Sequence, residues 1–469
     1  MASPEDPEIP REPLTAVDHA WLRMDEPSNL MIINGVLVMD EPVALDRIRA
    51  ILQRRLLAVR RFRQRIVYRG GDPYWEEDRD FDLDRHLLPM ELPPPGDENA
   101  LREVISNLMS EPFDLERPPW SFHLLEGYKG RGSVLVGRLH HCIGDGMALL
   151  LVLLSLTDVD GDGAAGTGMP SDGDSPFTDF FRDPPQGHEA AKQLAERVMP
   201  DGIRLMQQSA EAFRAMGALT TGLASAGAFT RLLLRLPDPP TIFKGPLGIP
   251  KRVAWSGPIA VDDVKEIGRA LKGTVNDVLL SAMTGGLRRY LGHKGKEAKG
   301  LNFRAAMPVN LRSLEDMANL GNQFGLVFLS LPVGIADPVE RLAELHERAV
   351  ALKRSAEPVV VYGILKLLGM VPLAVQRMVV SIFAAKTTAV MTNVPGPREE
   401  LHLAGKPVRE IFFWVPQSGR VGLGISIFSY AGRVRLGLAS DSRLVPDPEL
   451  IIQGFHEEFE ELRARARKA

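Results

Sequence analysis

Arg138-Leu139-His140-His141-Cys142-Ile143-Gly144-Asp145-Gly146 decides how this chain is read, because two kinds of pattern meet in it. Before it, Trp120–Leu125 and Ser133–His140 are strand-like runs separated by the turn-prone Tyr128-Lys129-Gly130-Arg131-Gly132. After it, Met147–Leu156 (MALLLVLLSL) reads as a buried helix that starts just behind the Asp-Gly pair. A strand end is a rigid place from which a side chain can face a cleft. A neutral imidazole, with an ordinary pKa of about 6.5, is a base that works near neutrality. His141 is therefore the candidate general base and Asp145 the residue that fixes the loop. Gly146 is expected to permit a tight turn into the helix.

Outward from this point the chain mixes strands and helices. Asn29–Met39 (NLMIINGVLVM) reads as a strand, and Leu45, Ile48, Leu52 and Leu56 are spaced for one helix face. The arginines that follow (Arg54, Arg55, Arg60, Arg61, Arg63, Arg65) are expected on a solvated face, with anionic lipid or phosphate as the second reading. Asp158–Gly187 and Pro237–Pro250 are rich in Gly, Asp and Pro and read as linkers around a helical stretch from Glu189 to about Leu236. From Arg252 strand and helix patterns alternate again, closing with strands at Ile411–Val415, Gly422–Phe428 and Val434–Leu438 and a helix from about Pro448. This is an α/β chain. Its 469 residues exceed one ordinary core, so two domains are expected, over residues 1–175 and 251–469, with 176–250 as linker and helical connection.

Composition excludes several classes. The net charge is −4, so no global field points to nucleic acid. The single cysteine, Cys142, allows no intrachain disulfide and fits a reducing, cytoplasmic setting. The first residues lack the basic and apolar regions of a secretory signal. No run reaches the roughly 18 consecutive apolar residues of a membrane span. Ala215–Thr230 and Val359–Ala385 come nearest, as buried helices or as helices lying on a membrane surface.

Some patterns are decoys. Asp158-Val159-Asp160-Gly161-Asp162-Gly163 matches the start of a calcium loop, but its twelfth position is Met169 and no helix pattern follows, so it reads as acidic linker. His140 and His141 point to opposite faces of a strand and cannot easily share an ion, so no metal is expected. Cys142 should point away from His141 and pack, and no Gly-x-Ser-x-Gly elbow offers a serine nucleophile. His140 reads first as a packed histidine and second as a substrate contact. Thr274 reads as a helix cap that would occupy Asp277, leaving Asn276 free to hydrogen-bond across a site.

His140-His141-x-x-x-Asp145-Gly146 resembles the HHxxxDG motif of the acyl-CoA-dependent acyltransferases, which include chloramphenicol acetyltransferase and peptide-synthetase condensation domains. Further strings resemble the bacterial wax ester synthase/diacylglycerol acyltransferase family: Leu14-Thr-Ala-Val-Asp18, Pro118-Pro119-Trp120, Gly273-Thr-Val-Asn276-Asp277-Val278, and Met307-Pro-Val-Asn310-Leu-Arg312. So do Gly321-Asn322-Gln323-Phe324-Gly325, Thr392-Asn393-Val-Pro395-Gly396-Pro397 and Val445-Pro446-Asp447. The resemblance covers nearly the whole chain in order. It implies two chloramphenicol-acetyltransferase-like domains with the active-site tunnel between them. It also implies transfer of a long-chain acyl group from acyl-CoA to diacylglycerol or a long-chain alcohol, giving triacylglycerol or wax ester.

On the same resemblance His141 is the proton acceptor and Asp145 is mainly structural. Asn276 and Asp277 form the family's ND motif near the site, and Pro118, Pro119, Trp120, Thr392 and Asn393 are substrate-binding. Acyl-CoA is a co-substrate and no cofactor is implied. The expected place is the cytoplasmic face of the plasma membrane or a lipid-droplet surface. Pro119 stands where family members often have leucine, which bears on the acceptor and not on the reaction class. A carrier-protein-dependent, condensation-type enzyme and a non-catalytic lipid-binding protein are the alternatives.

Overall fold

Continuous apolar runs in the first half build strands buried on both faces, and the computed structural model describes residues 10–159, 184–219 and 234–469, apart from 314–315, 317–319, 354–356 and 418. The Ala215–Thr230 candidate helix lies largely outside the residues described, and so does the calcium-loop match beyond Val159. The first half contains β1 (Arg11–Pro13), α1 (Ala16–Met24), β2 (Ile32–Met39), α2 (Leu45–Ile51), β3 (Gln64–Arg69), β4 (Asp72–Glu77), β5 (Leu87–Glu91), α3 (Glu98–Leu108), β6 (Trp120–Tyr128), β7 (Gly132–His140) and α4 (Gly146–Ser155). Two connecting helices, α5 (Pro184–Val198) and α6 (Pro200–Leu219), follow. The second half contains β8 (Lys251–Trp255), β9 (Ile259–Ala260), α7 (Val261–Ala270), α8 (Val275–His293), β10 (Phe303–Asn310), β11 (Phe324–Leu331), α9 (Pro338–Lys353), α10 (Glu357–Leu368) and α11 (Leu373–Ala385). It ends with β12 (Ala389–Pro395), β13 (His402–Leu403), β14 (Lys406–Trp414), β15 (Leu423–Tyr430), β16 (Arg433–Asp441) and α12 (Glu449–Ala466).

Two large sheets carry the architecture. One has the order β13-β14-β2-β7-β6-β5, the other β11-β10-β12-β15-β16-β8 with β9 beside β16. The expected boundary at residue 251 is corrected by this topology. β13 and β14 come from the second half but complete the first sheet, β14 running antiparallel to β2 from Val408↔Met39 to Trp414↔Asn34. Without β14, the buried β2 would present an unpaired row of N–H and C=O groups. The apolar side chains of β14 then pack between the sheets, where Phe412 and Trp414 meet Trp255 of β8 and Val36 and Val38 of β2 in one cluster. The halves are thus stitched by a strand, and a clean chain boundary does not exist.

The arginine run is corrected in part: Arg54 and Arg60 are exposed, as a solvated face expects, but other members lie on different elements and are engaged by acids. Arg55 is buried and paired with Asp158, Arg61 pairs with Glu12 and lies over Trp75, Arg63 pairs with Glu77, and Arg65 with Glu76. Burial of a guanidinium demands such partners.

Val359–Ala385 divides into two helices. α10 buries Val361, Leu365 and Leu368, as the buried reading expects. α11 does not follow that reading: of its thirteen residues only Gln376 and Ala384 are buried.

Candidate active site

β7 is buried along its whole length and delivers His140 and His141 to the junction of the two halves. The His141 N–H extends the β2–β7 ladder by donating to the Met31 carbonyl at 2.7 Å. Its ring leaves that ladder toward α1, where it stacks on Trp21 with centroids 4.2 Å apart and planes within 12°. Phe324 of β11 closes the ring's surroundings at 5.7 Å. Burial among these groups disfavours the charged imidazole and pushes its pKa down to about 4, against the pull of Asp145. The His141 imidazole is therefore neutral across the physiological range.

His140 faces the other way and is fully buried. Its Nδ1 accepts the Cys142 N–H at 3.1 Å, an assignment that leaves the proton on Nε2, 3.8 Å from Asp25. It packs and does not reach the site. Cys142 is buried in the core cluster of the first half, separate from the cluster that holds Trp21.

Asp145 caps α4, its Oδ1 accepting the Ala148 N–H at 3.1 Å. Its other oxygen pairs with Arg312 of the second half, both side chains being buried, and accepts the Gln323 N–H at 3.3 Å. The Asp145 N–H donates to Gly321 at 3.1 Å. Gly321 holds φ +130°, a backbone conformation that side-chain-bearing residues rarely adopt, and this turn points its carbonyl back at the loop. Asn322 follows: its Nδ2 donates to the His141 carbonyl at 2.6 Å and to Asp18 Oδ1 at 2.8 Å, and its N–H also reaches Asp18 at 3.0 Å. The His141 loop is thus clamped between α1 and residues 312–324. Gly146 is corrected: its φ is not positive, and an added Cβ would meet nothing within 4 Å, so glycine is not required for the turn.

The remaining candidates separate. Asn393 Nδ2 donates to Asn276 Oδ1 at 2.6 Å, tying β12 to the first turn of α8, and Thr392 beside them is buried. Asp277 sits in the first turn of α8. It completes a capping box with Thr274 and takes a hydrogen bond from His346 Nδ1 at 2.8 Å, so its carboxylate is occupied. Trp120 is buried. Its Nε1 donates to Phe62 O at 2.9 Å and its ring lies among His86, Phe81, Phe62 and Phe122. Pro118 and Pro119 are buried beside it, and the Pro119 carbonyl accepts the His140 N–H at 3.0 Å, so this segment fixes the end of β7. Among the described residues no three His, Cys, Asp or Glu side chains converge as a metal site would need.

Asp18, Trp21, Arg312 and Asn322 carry the site's geometry, and residue-type reasoning assigned them no role. Three of them sit inside the quoted strings, which was the available signal; Trp21 had none. Asp18 makes a further prediction. Burial pushes its carboxyl up to about 6, against the hydrogen bonds from Asn322 and Thr15. As pH falls through about 6 it takes a proton and loses an acceptor, while His141 stays neutral. The acid limb of kcat/KM is expected near 6, not near 4, and Asp18→Asn should move it downward. An unchanged limb in that variant removes Asp18 from the account.

Comparison with known proteins fits this geometry. The profile of the wax ester synthase/diacylglycerol acyltransferase catalytic domain matches residues 14–279, and that of the WS/DGAT C-terminal domain matches 320–463. A Mycobacterium tuberculosis protein named as a probable diacylglycerol O-acyltransferase, tgs1, is 27% identical over 456 residues, 95% of this chain and 94% of its own. The wax ester synthase/diacylglycerol acyltransferase of Marinobacter aquaeolei superposes with a TM-score of 0.68 at 21% identity, covering 97% of this chain and 99% of that one. The starter condensation domain of rhizomide synthetase in complex with C8-CoA shares the fold with a TM-score of 0.56 at 14% identity, over 97% of this chain and 95% of that one. With a family profile matching more than half of its length, this chain belongs to the wax ester synthase/diacylglycerol acyltransferase family.

Proposed function

We propose that this chain transfers a long-chain acyl group from acyl-CoA to the hydroxyl of diacylglycerol or a long-chain alcohol, with His141 as the general base. The observation that carries the reading is the neutral His141 imidazole, stacked on Trp21 and clamped from both halves. The imidazole takes the hydroxyl proton as the alcohol oxygen attacks the thioester carbonyl. A C–O bond forms, the tetrahedral intermediate collapses, the C–S bond breaks, and the imidazolium returns its proton to the departing thiolate. The Trp21 face favours that transient imidazolium, an effect of about 0.5–2 kcal/mol for a cation over an aromatic ring.

Support for a coenzyme A thioester as donor comes from membership of an acyltransferase family and from the C8-CoA held by the rhizomide starter domain, which shares the fold. A carrier-protein donor is disfavoured by the family match over both halves. The complete base and its clamp oppose a purely lipid-binding role. The substrates meet in a tunnel between the halves, where Asn276, Thr392 and Asn393 are the second half's polar contribution, and the enzyme works at the cytoplasmic face of a membrane or on a lipid droplet. No helix among the described residues is long and apolar enough to cross a membrane.

The test is thiol release from palmitoyl-CoA with hexadecanol or dipalmitoylglycerol, with esters resolved by chromatography. Acceptor-dependent ester is expected, and the ratio of products ranks the two acceptors. Ester from an acyl-carrier protein and none from palmitoyl-CoA overturns the reading.

A further inference from the structure

We propose that the α10–α11 hairpin is the surface by which this protein lies on an anionic lipid bilayer, an inference that rests on the lipid-acceptor reading above. Twelve large apolar side chains stand exposed among the described residues. Half of them lie between Leu367 and Ile382, and Leu234 and Leu236 adjoin them. That adjacency is built by Arg235 pairing with Glu357 at the start of α10 and by the Asp238 N–H donating to Ala385 at the end of α11. Met370 at the turn between the helices is 75% exposed, Leu367 61% and Met378 58%. A soluble surface rarely concentrates apolar side chains in this way without a partner.

Charge selects the partner. Residues 358–385 contain no Asp or Glu, and their two exposed charges are Lys366 and Arg377. Lys366 lies over the Tyr362 ring, and Arg377 reaches Glu26 at 3.7 Å. An apolar hairpin that carries cations and no acid of its own suits the headgroup boundary of an anionic bilayer. At 12 and 13 residues the helices are too short to span one, so they lie along it.

The hairpin is also joined to the base. Gln376 Nε2 donates to Ala20 O at 2.8 Å and Arg23 donates to Val371 O at 2.8 Å, fixing α11 and the turn on α1. Val361, Leu365 and Leu368 pack in the cluster that holds Trp21, the residue stacked on His141. Docking there places the base about one helix layer from the lipid that carries a water-insoluble acceptor.

The test is co-sedimentation of the full chain with vesicles of phosphatidylglycerol and phosphatidylcholine, against phosphatidylcholine alone. Wild type should bind, more tightly as the anionic fraction rises. The Leu367→Glu, Met370→Glu, Met378→Glu triple variant should lose binding by about tenfold or more, because each charge would have to enter the apolar boundary. Thiol release by that variant with a short, water-soluble alcohol in detergent should match wild type. A Met370→Trp variant, which keeps the surface apolar, should show an emission blue shift with anionic vesicles. Undiminished binding by the triple variant, or no shift in Met370→Trp, overturns the proposal. So does a wild-type dimer that the triple variant converts to monomer with no vesicle binding by either, since a second copy then covers the face. Ester formation is scored separately: binding lost in the triple variant supports the surface even where palmitoyl-CoA yields no ester, and that second result speaks against acyl transfer alone.

Discussion

Replacing His141 by alanine is expected to lower ester formation from palmitoyl-CoA by about 10²–10⁴-fold, the usual contribution of a positioned general base. The fold should survive. The His141 backbone, and not its ring, makes the bonds to Met31 and Asn322 that hold the loop. Loss of the ring leaves Trp21 and Phe324 facing a gap, a cost of about 2–5 kcal/mol on the scale of large-to-small core changes. Thermal unfolding should therefore show a lower but still cooperative transition. His141→Gln fills part of the gap without supplying a base, so it should regain stability and not activity. Full activity in either variant would falsify the base assignment.

The second large effect concerns the contact between the halves. Arg312→Ala strips the counter-charge from Asp145 while Asp145 stays buried, and removing one partner of a buried pair costs about 3–5 kcal/mol. Activity should fall with stability, because Asp145 also caps α4 and accepts from the turn that presents Asn322. Asp145→Asn keeps an oxygen for the Ala148 N–H and removes the charge. Combined with Arg312→Ala it should recover much of the stability lost in Arg312→Ala alone. Denaturant unfolding of the two single variants and the double variant gives the coupling. Strictly additive effects would mean that the pair is incidental to the junction.

Much of this arrangement was legible along the chain. The run Ser133–His140 followed by Met147–Leu156 does form a strand and a buried helix, with Asp145 between them as a cap. Local rules reach that far, since a cap serves amides three residues away and a strand's period is two. Arg54 and Arg60 keep to the solvated face expected of the run, whereas Arg55 and Arg61 leave it because their acids, Asp158 and Glu12, are remote in sequence. The surroundings of Trp120 have a similar origin: its indole partner, the Phe62 carbonyl, is 58 residues away. The departure of β14 into the first sheet is a choice between two edges, and its apolar run Ile411–Trp414 suits either.

Two helix starts mark the limit. Thr15-x-x-Asp18 opens α1 and Thr274-x-x-Asp277 opens α8, and the sequence by itself determines that each threonine caps its helix. It also determines the strand–loop–helix that carries His141 and the order of motifs that mark the family. Only the tertiary structure decides what each aspartate does next. Asp277 meets His346 and is used up at the helix start, whereas Asp18 is buried against Asn322 and so holds the carbonyl of His141 at one remove. The physical reason is that local backbone geometry sets a cap, but the second partner of a carboxylate, and the desolvation that tunes it, come from residues some 70 to 300 positions away.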